Sequence, residues 1–201
     1  MIRAVREKIG PERTLLIDAN NGYTPEEAQE VILQTEDCRL EWIEEPFPEE
    51  KEACLAFKRF LQERGKNILL ADGEGATSQP EAFTEIVRAG GIDVVQFDMR
   101  AYTLTRWARY RSVLEETGAL AAPHNWGSHL SGFYVAHFGR ACPQFATDEI
   151  DPMEMPGVIA EGYRMQAGRL VVPEAPGFGL RLDPETYQVA LRQPEAWSVA
   201  A

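Results

Sequence analysis

Asp18, Glu44, Glu74, Asp98 and His124 each close a short apolar run, and they recur every 24 to 30 residues along the chain. The runs are residues 14–17, 40–43, 68–71, 93–97 and 120–123. The first three, Asp18, Glu44 and Glu74, are carboxylates on successive runs. On neighbouring parallel strands, about 4.8 Å apart, such groups can converge on one point. Carboxylates gathered without partners repel, so a counter-cation is expected. An all-oxygen donor set selects a hard ion, Mg²⁺ first. The next two run ends carry Asp98 and His124, and an Asp beside a His fixes its tautomer and suits it to act as a base. A hard cation next to such a pair fits removal of a proton beside a carboxylate, with the cation taking up the charge of the enolate.

The elements that must position these groups follow from the spacing. A strand, a helix and two loops need roughly 30 residues, so the chemistry-bearing residues fall once per βα unit. In α/β barrels and open α/β sheets the C-terminal ends of strands are where ligands collect. Residues 1–9 read as a helix closed by Gly10-Pro11. Thr24, Pro25 and Glu27 form a capping box that opens a helix running to about residue 35. Helices are also expected at 49–64, from the Ser78/Glu81 pair to about 89, at 103–117 and at 128–140. Short strands are expected at 14–17, 40–43, 68–71, 93–97, 119–122 and 144–147. A Pro/Gly-rich tail over 151–179 carries one more strand at 169–172, and Asp183 starts a last short helix. Six βα-type units in alternation imply an α/β fold, with a parallel sheet and helices outside it.

The chain of 201 residues is 44% hydrophobic, enough for one sizeable core and one domain. Its net charge of −12 argues against nucleic acid and anionic membranes as partners. The three cysteines, Cys38, Cys54 and Cys142, form no CxxC pair and read as reduced thiols of a cytoplasmic protein. No stretch approaches the length of a membrane span, and the first eight residues are too charged for the apolar core of a signal peptide.

The runs Ile17-Asp-Ala-Asn20, Trp42-Ile-Glu-Glu-Pro46, Gly73-Glu74, Phe97-Asp98 and Pro123-His-Asn125 resemble, in order, the strand-end motifs of the enolase superfamily, in its mandelate racemase/muconate lactonizing enzyme group. The tail Pro176-Gly-Phe-Gly179 with Leu182-Asp183 is similar to that group's ending, so the resemblance spans about residues 9–183. It implies Asp18, Glu44 and Glu74 as Mg²⁺ ligands and His124 as the catalytic acid/base, partnered by Asp98. Asn20 is expected near the metal or substrate, and Trp126 near the substrate pocket or a capping domain. After the last barrel strand Thr147, Asp148 and Glu149 compete for the role of polarising the substrate carboxylate, and Glu149 is taken as the candidate.

The resemblance also implies a modified (β/α)8 barrel, TIM-like, of which this chain supplies strands three to eight. The N-terminal capping domain and two earlier strands, the second ending in a lysine acid/base, are expected to be missing. Residues 1–201 are then one C-terminal catalytic barrel domain, incomplete, with the tail 151–201 closing the barrel and facing the cap. The chain departs from the family after Asp98, where Arg100-Ala-Tyr-Thr-Leu stands in place of a frequent Gly-Gly pair. The activity implied is that of a Mg²⁺-dependent lyase, an acid-sugar dehydratase (hydro-lyase) acting on a small carboxylate, in a homo-oligomer. A racemase or epimerase of the same superfamily is the alternative isomerase reading. Another is a truncated, non-catalytic barrel fragment that needs a separate N-terminal part or an oligomer partner. A third class is an unrelated α/β barrel whose carboxylates do not share one ion. Of the remaining polar residues, Glu45 is read as structural, paired with a basic group, and Asp72 as a further residue that could face the site. His129 and His137 are read as helix residues, and Trp107 and Tyr110 as core.

Overall fold

Successive residues of a strand face opposite sides, and the short strands of this chain use both sides. Ile43, Leu70, Val95 and Ala121 belong to one large apolar cluster, whereas Trp42, Ala71, Val94 and Ala122 form a second, smaller one. A sheet buried on both faces is what parallel β/α packing produces. The computed structural model describes residues 1–126, 129–149 and 157–193. In chain order its elements are α1 (Ile2–Ile9), β1 (Leu16–Asp18), α2 (Pro25–Gln34), β2 (Trp42–Glu44), α3 (Lys51–Glu63), β3 (Leu69–Asp72), α4 (Pro80–Arg88) and β4 (Val94–Val95). They continue with α5 (Met99–Tyr102), α6 (Leu104–Thr117), β5 (Leu120–Ala121) and α7 (His129–Ala141). A distal part adds β6 (Val158–Ile159), β7 (Arg164–Gln166), β8 (Arg169–Val171), β9 (Arg181–Leu182) and α8 (Pro184–Ala190).

Strands β1 to β5 form one parallel sheet in sequential order, as the alternation of strands and helices requires. Their outer residues pack against the helices. Ile43, Phe57, Leu70, Val95 and Leu114 are all completely buried, and each such side chain contributes roughly 1.5–3 kcal/mol of transfer free energy. Phe97 stands at the centre of an aromatic cluster with Tyr102, Trp107 and Tyr110, at ring separations of 4.2, 5.9 and 5.2 Å. The indole of Trp107 donates to the Phe97 carbonyl at 3.3 Å. With Phe97 anchored outward, the next residue, Asp98, is turned to the inner side. Trp107 and Tyr110 are core residues, as expected.

The helix signals resolve unevenly. The Thr24/Glu27 capping box forms, with both reciprocal bonds in place. The Ser78/Glu81 box does not, because Ser78 is spent in a 3-10 turn, Gly75–Ser78, and Gln79 becomes the N-cap of α4 without a side-chain bond. The helix expected over 103–117 is preceded by the separate short α5, which Asp98 caps. The strand expected at 144–147 is reduced to a single parallel bridge between Phe145 and Ala121, flanked by two backbone bonds. It has β5 on one side and no strand on the other among the described residues. The tail strand at 169–172 is present as β8, paired antiparallel with β7 in a hairpin. The start of the helix expected at 128, and the tail residues 151–156 and 194–201, lie outside the described residues.

Two arginines tie helix α1 to its surroundings: Arg3 pairs with Asp37, and Arg6 reaches the loops that precede β1 and β2. Arg6 donates to the carbonyls of Cys38, Gly10, Arg13 and Arg39 at 2.7, 2.8, 2.6 and 3.1 Å. A guanidinium presents several donors in a rigid fork, which suits it to collect carbonyls from separate loops.

Candidate active site

The register of the first two strands sets Asp18 directly opposite Glu44. Both residues share the inner side with Trp42, whose ring belongs to the smaller apolar cluster beneath them. Beyond β1 the chain turns back through Asn20 and Asn21, both at positive φ (47° and 57°). Asparagine tolerates that conformation better than most residues. The turn folds Asn20 over Asp18, with its N–H on one carboxylate oxygen and its side-chain amide on the other, each at 2.8 Å.

Glu44 is half-buried. Burial pushes its carboxyl up, and the neighbouring Asp18 and Glu149 push the same way. Hydrogen bonds from Gln96 and from the Trp42 indole hold it down. The Trp42 Nε1 donor lies 3.3 Å from Glu44 Oε2. Glu74, just past β3, heads the 3-10 turn, and its Oε2 lies 3.4 Å from Nε2 of His124.

His124 is buried between two carboxylates. Its Nδ1 stands 2.9 Å from Asp98 Oδ2, so the ring carries a proton on Nδ1 and presents Nε2 to the strand-end side near Glu74. Burial pushes the Asp98 carboxyl up. The Ala101 N–H, His124 and Arg100 together outweigh it and leave it below its ordinary value. The same carboxylate caps α5, accepting from Arg100 N at 2.9 Å and Ala101 N at 2.8 Å. The Met99 N–H donates to the His124 carbonyl at 3.0 Å, locking the two loops together.

Glu149 is brought to the same end by Asn125. The backbone N–H of Asn125 donates to Glu149 Oε2 at 2.7 Å, and its side-chain amide donates to the Glu149 carbonyl at 3.1 Å. Of the three residues competing after the last strand, Glu149 is the one held by the residue that follows the histidine. Both Asp148 oxygens are buried and have no hydrogen-bond partner among the described residues, and burial followed by repulsion from Glu149 pushes the carboxyl up to about 7. Trp126 is 73% exposed.

Two further acids lie close by. Glu45 is buried at positive φ (39°), and burial followed by repulsion from Glu74, Asp18, Glu49 and Glu44 raises it to about 7. The basic partner expected for it is absent among the described residues. The chain turns there so that Glu45 faces other carboxylates. Asp72 is 1% exposed and accepts from Gly73 N at 2.6 Å, and burial followed by Glu49 and Glu45 raises it to about 8.

Among the described residues, no three His, Cys, Asp or Glu side chains are gathered tightly enough to form a ready metal cage. Asp18 accepts from Asn20 and Glu44 from Trp42 and Gln96, and Glu74 stands 3.4 Å from His124 Nε2. The donor chemistry fits a hard divalent ion. The candidates are all carboxylates at adjacent strand ends, and no lysine or arginine forms an ion pair with any of them among the described residues. Gln96 and Asn125 are participants that strand-end spacing does not single out. The signal for Gln96 is a polar residue inside an apolar run, in phase with Val94 and Asp98.

Fold and site together define a parallel β/α domain with carboxylates and an imidazole–carboxylate pair at the C-terminal ends of its strands. The chain belongs to the enolase C-terminal domain-like family, whose model matches residues 1–186. It is 26% identical over 200 residues to an L-rhamnonate dehydratase of Saccharopolyspora erythraea, covering 96% of this chain and 49% of that protein. A galacturonate dehydratase from Geobacillus sp., solved with D-galacturonate and 5-keto-4-deoxy-D-galacturonate, superposes with a TM-score of 0.88 at 33% identity, covering 95% of this chain and 51% of that one. A mutant of galacturonate dehydratase from Geobacillus sp., complexed with Mg, superposes with a TM-score of 0.87 at 33% identity, covering 94% and 48%. The chain thus spans about half the length of the curated relatives it matches. The resemblance to the mandelate racemase group expected from the strand-end motifs is borne out.

Proposed function

We propose that this chain carries the catalytic face of a Mg²⁺-dependent acid-sugar dehydratase. Asp18, Glu44 and Glu74 would hold the ion, which when bound offsets the negative charge that develops on a substrate carboxylate. His124, kept in one tautomer by Asp98, takes the proton α to that carboxylate through Nε2. The same imidazole can return a proton to the departing β-hydroxyl, so that water leaves. Glu149, held by Asn125, faces the substrate carboxylate, and Asn20 flanks the ligand side of Asp18. The observation that carries this reading is the buried His124, 2.9 Å from Asp98 and 3.4 Å from Glu74, at the same end of the sheet as the Asp18–Glu44 register pair. The acid-sugar class is supported by the dehydratases to which the chain is similar.

The test is a Mg²⁺-dependent screen of acid sugars in D₂O. The wild-type protein should exchange the α-hydrogen and form a dehydrated keto acid. His124→Asn should abolish exchange even at saturating Mg²⁺, where a change in metal affinity no longer matters. Exchange retained in that variant would remove His124 from the base role. Exchange without dehydration would favour the racemase or epimerase reading.

A second reading is favoured by the sheet edge. Among the described residues β1 pairs only with β2, and Leu16 on it is 36% exposed. Unpaired edges invite pairing with further strands. On this reading the catalytic face works only when an N-terminal segment or a partner covers that edge.

A further inference from the structure

Resting on the reading of Glu44 as a metal ligand, we propose that Trp42 and Gln96 form a neutral two-donor clamp that orients the Glu44 carboxylate and sets the affinity of the site for its divalent cation. Trp42 lies two residues before Glu44 on β2, so both side chains share one side of the sheet. The indole N–H meets Oε2 at 3.3 Å. Gln96 reaches the same carboxylate from two strands away. The register explains how. Glu44 pairs with Ala71, and Ala71 pairs with Val94, two residues before Gln96. The inner positions on the intervening strand are Ala71 and Gly73, a methyl group and no side chain at all. Nothing bulky stands between the amide and the carboxylate.

The burial of the pair argues for a role beyond packing. Trp42 and Gln96 are each 5% exposed, and Gln96 Oε1 is buried without a hydrogen-bond partner among the described residues. A buried amide left half-satisfied is unfavourable, and an apolar residue of similar shape would fill the place without that penalty. The amide is therefore accounted for by what its donor side does to Glu44. Both donors are uncharged. They fix the carboxylate without neutralising it, so its charge stays available to a cation. A lysine or arginine in either place would compete with the ion. Partners of this kind, which orient a ligand without touching the metal, typically change metal affinity 10–100-fold when removed. Trp42 and Gln96 are positioning residues in this sense.

The test is isothermal titration of Mg²⁺ into the purified protein and its Trp42→Phe and Gln96→Met variants, with a melting curve of each in EDTA. Phe keeps most of the ring and Met most of the length, and each removes a donor. The expected result is a dissociation constant for Mg²⁺ raised about 10–100-fold in each variant, while circular dichroism and the metal-free melting temperature stay near wild type. Affinity within twofold of wild type in a folded variant overturns the clamp. If Trp42→Phe does not fold, Gln96→Met decides the matter by the same criterion. Wild-type protein that takes up no Mg²⁺ overturns the metal reading and the clamp with it. Wild-type binding with unchanged variants overturns the clamp alone.

Discussion

Replacing Asp98 by Asn isolates the charge behind His124. Asn keeps the shape and an acceptor oxygen, so α5 remains capped, and Asn and Asp are close to equivalent at an N-cap. Asp98 accepts from Arg100 N and Ala101 N at 2.9 and 2.8 Å, bonds an amide oxygen can accept equally. The ion pair with Arg100 is lost, but that guanidinium is half-exposed at 3.2 Å and contributes little. What changes is the contact at 2.9 Å with His124 Nδ1. A charge-assisted hydrogen bond contributes roughly 1.5–3 kcal/mol. Where the imidazole gains a proton in the transition state, losing that amount slows the step about 10- to 150-fold. With Oδ1 kept as the capping oxygen, Asn puts its NH₂ where Oδ2 faced Nδ1, which imposes the wrong tautomer and slows the step further. The assay is loss of the α-hydrogen NMR signal of an accepted acid sugar in D₂O with saturating Mg²⁺. The expected result is at least a tenfold slower exchange with a melting temperature within a few degrees of wild type. Exchange within twofold of wild type would refute the assignment of Asp98 as the partner that readies His124.

Two further predictions concern the acids and the glycine behind the site. The Asp72 carboxyl is raised by burial and then by Glu49 and Glu45, from 3.8 to about 8. The folded chain therefore keeps it protonated where the unfolded chain ionises it, so stability is fully present below about pH 4 and lost as pH rises towards 8. Asp72→Asn should raise the metal-free melting temperature at pH 8, with a gain that shrinks towards pH 4. A gain that grows on acidification would contradict the cause given. Gly73 has φ +133°, and an added Cβ would lie 3.1 Å from the backbone nitrogens of both Gln96 and Phe97. Gly73→Ala should destabilise by at least about 1–3 kcal/mol from the backbone conformation alone, read as a lower urea midpoint at unchanged slope.

Much of the architecture could be read from one dimension. Apolar runs ending in Asp18, Glu44, Glu74, Asp98 and His124, separated by helical stretches, determine a parallel β/α order, because each run must bury both faces and each helix must cover one. The Thr24/Glu27 cap is equally local, since both of its bonds close within three residues. Ser78 shows where local reading stops. Its four-residue pattern matches that of Thr24, yet the chain leaving Glu74 enters a 3-10 turn before α4 can start. The pairing of Asp98 with His124 was legible as two strand ends in succession, whereas the 3.4 Å approach of Glu74 to the same ring was not. Neither was the reach of Gln96 across Ala71 to Glu44, nor the Asn125 bonds that hold Glu149 rather than Asp148. Strand order and residue type place groups on a face. Which donor each carboxylate takes depends on strand stagger, on the small residues that leave a path across the sheet, and on repulsion among neighbouring acids, and those are properties of the assembled fold.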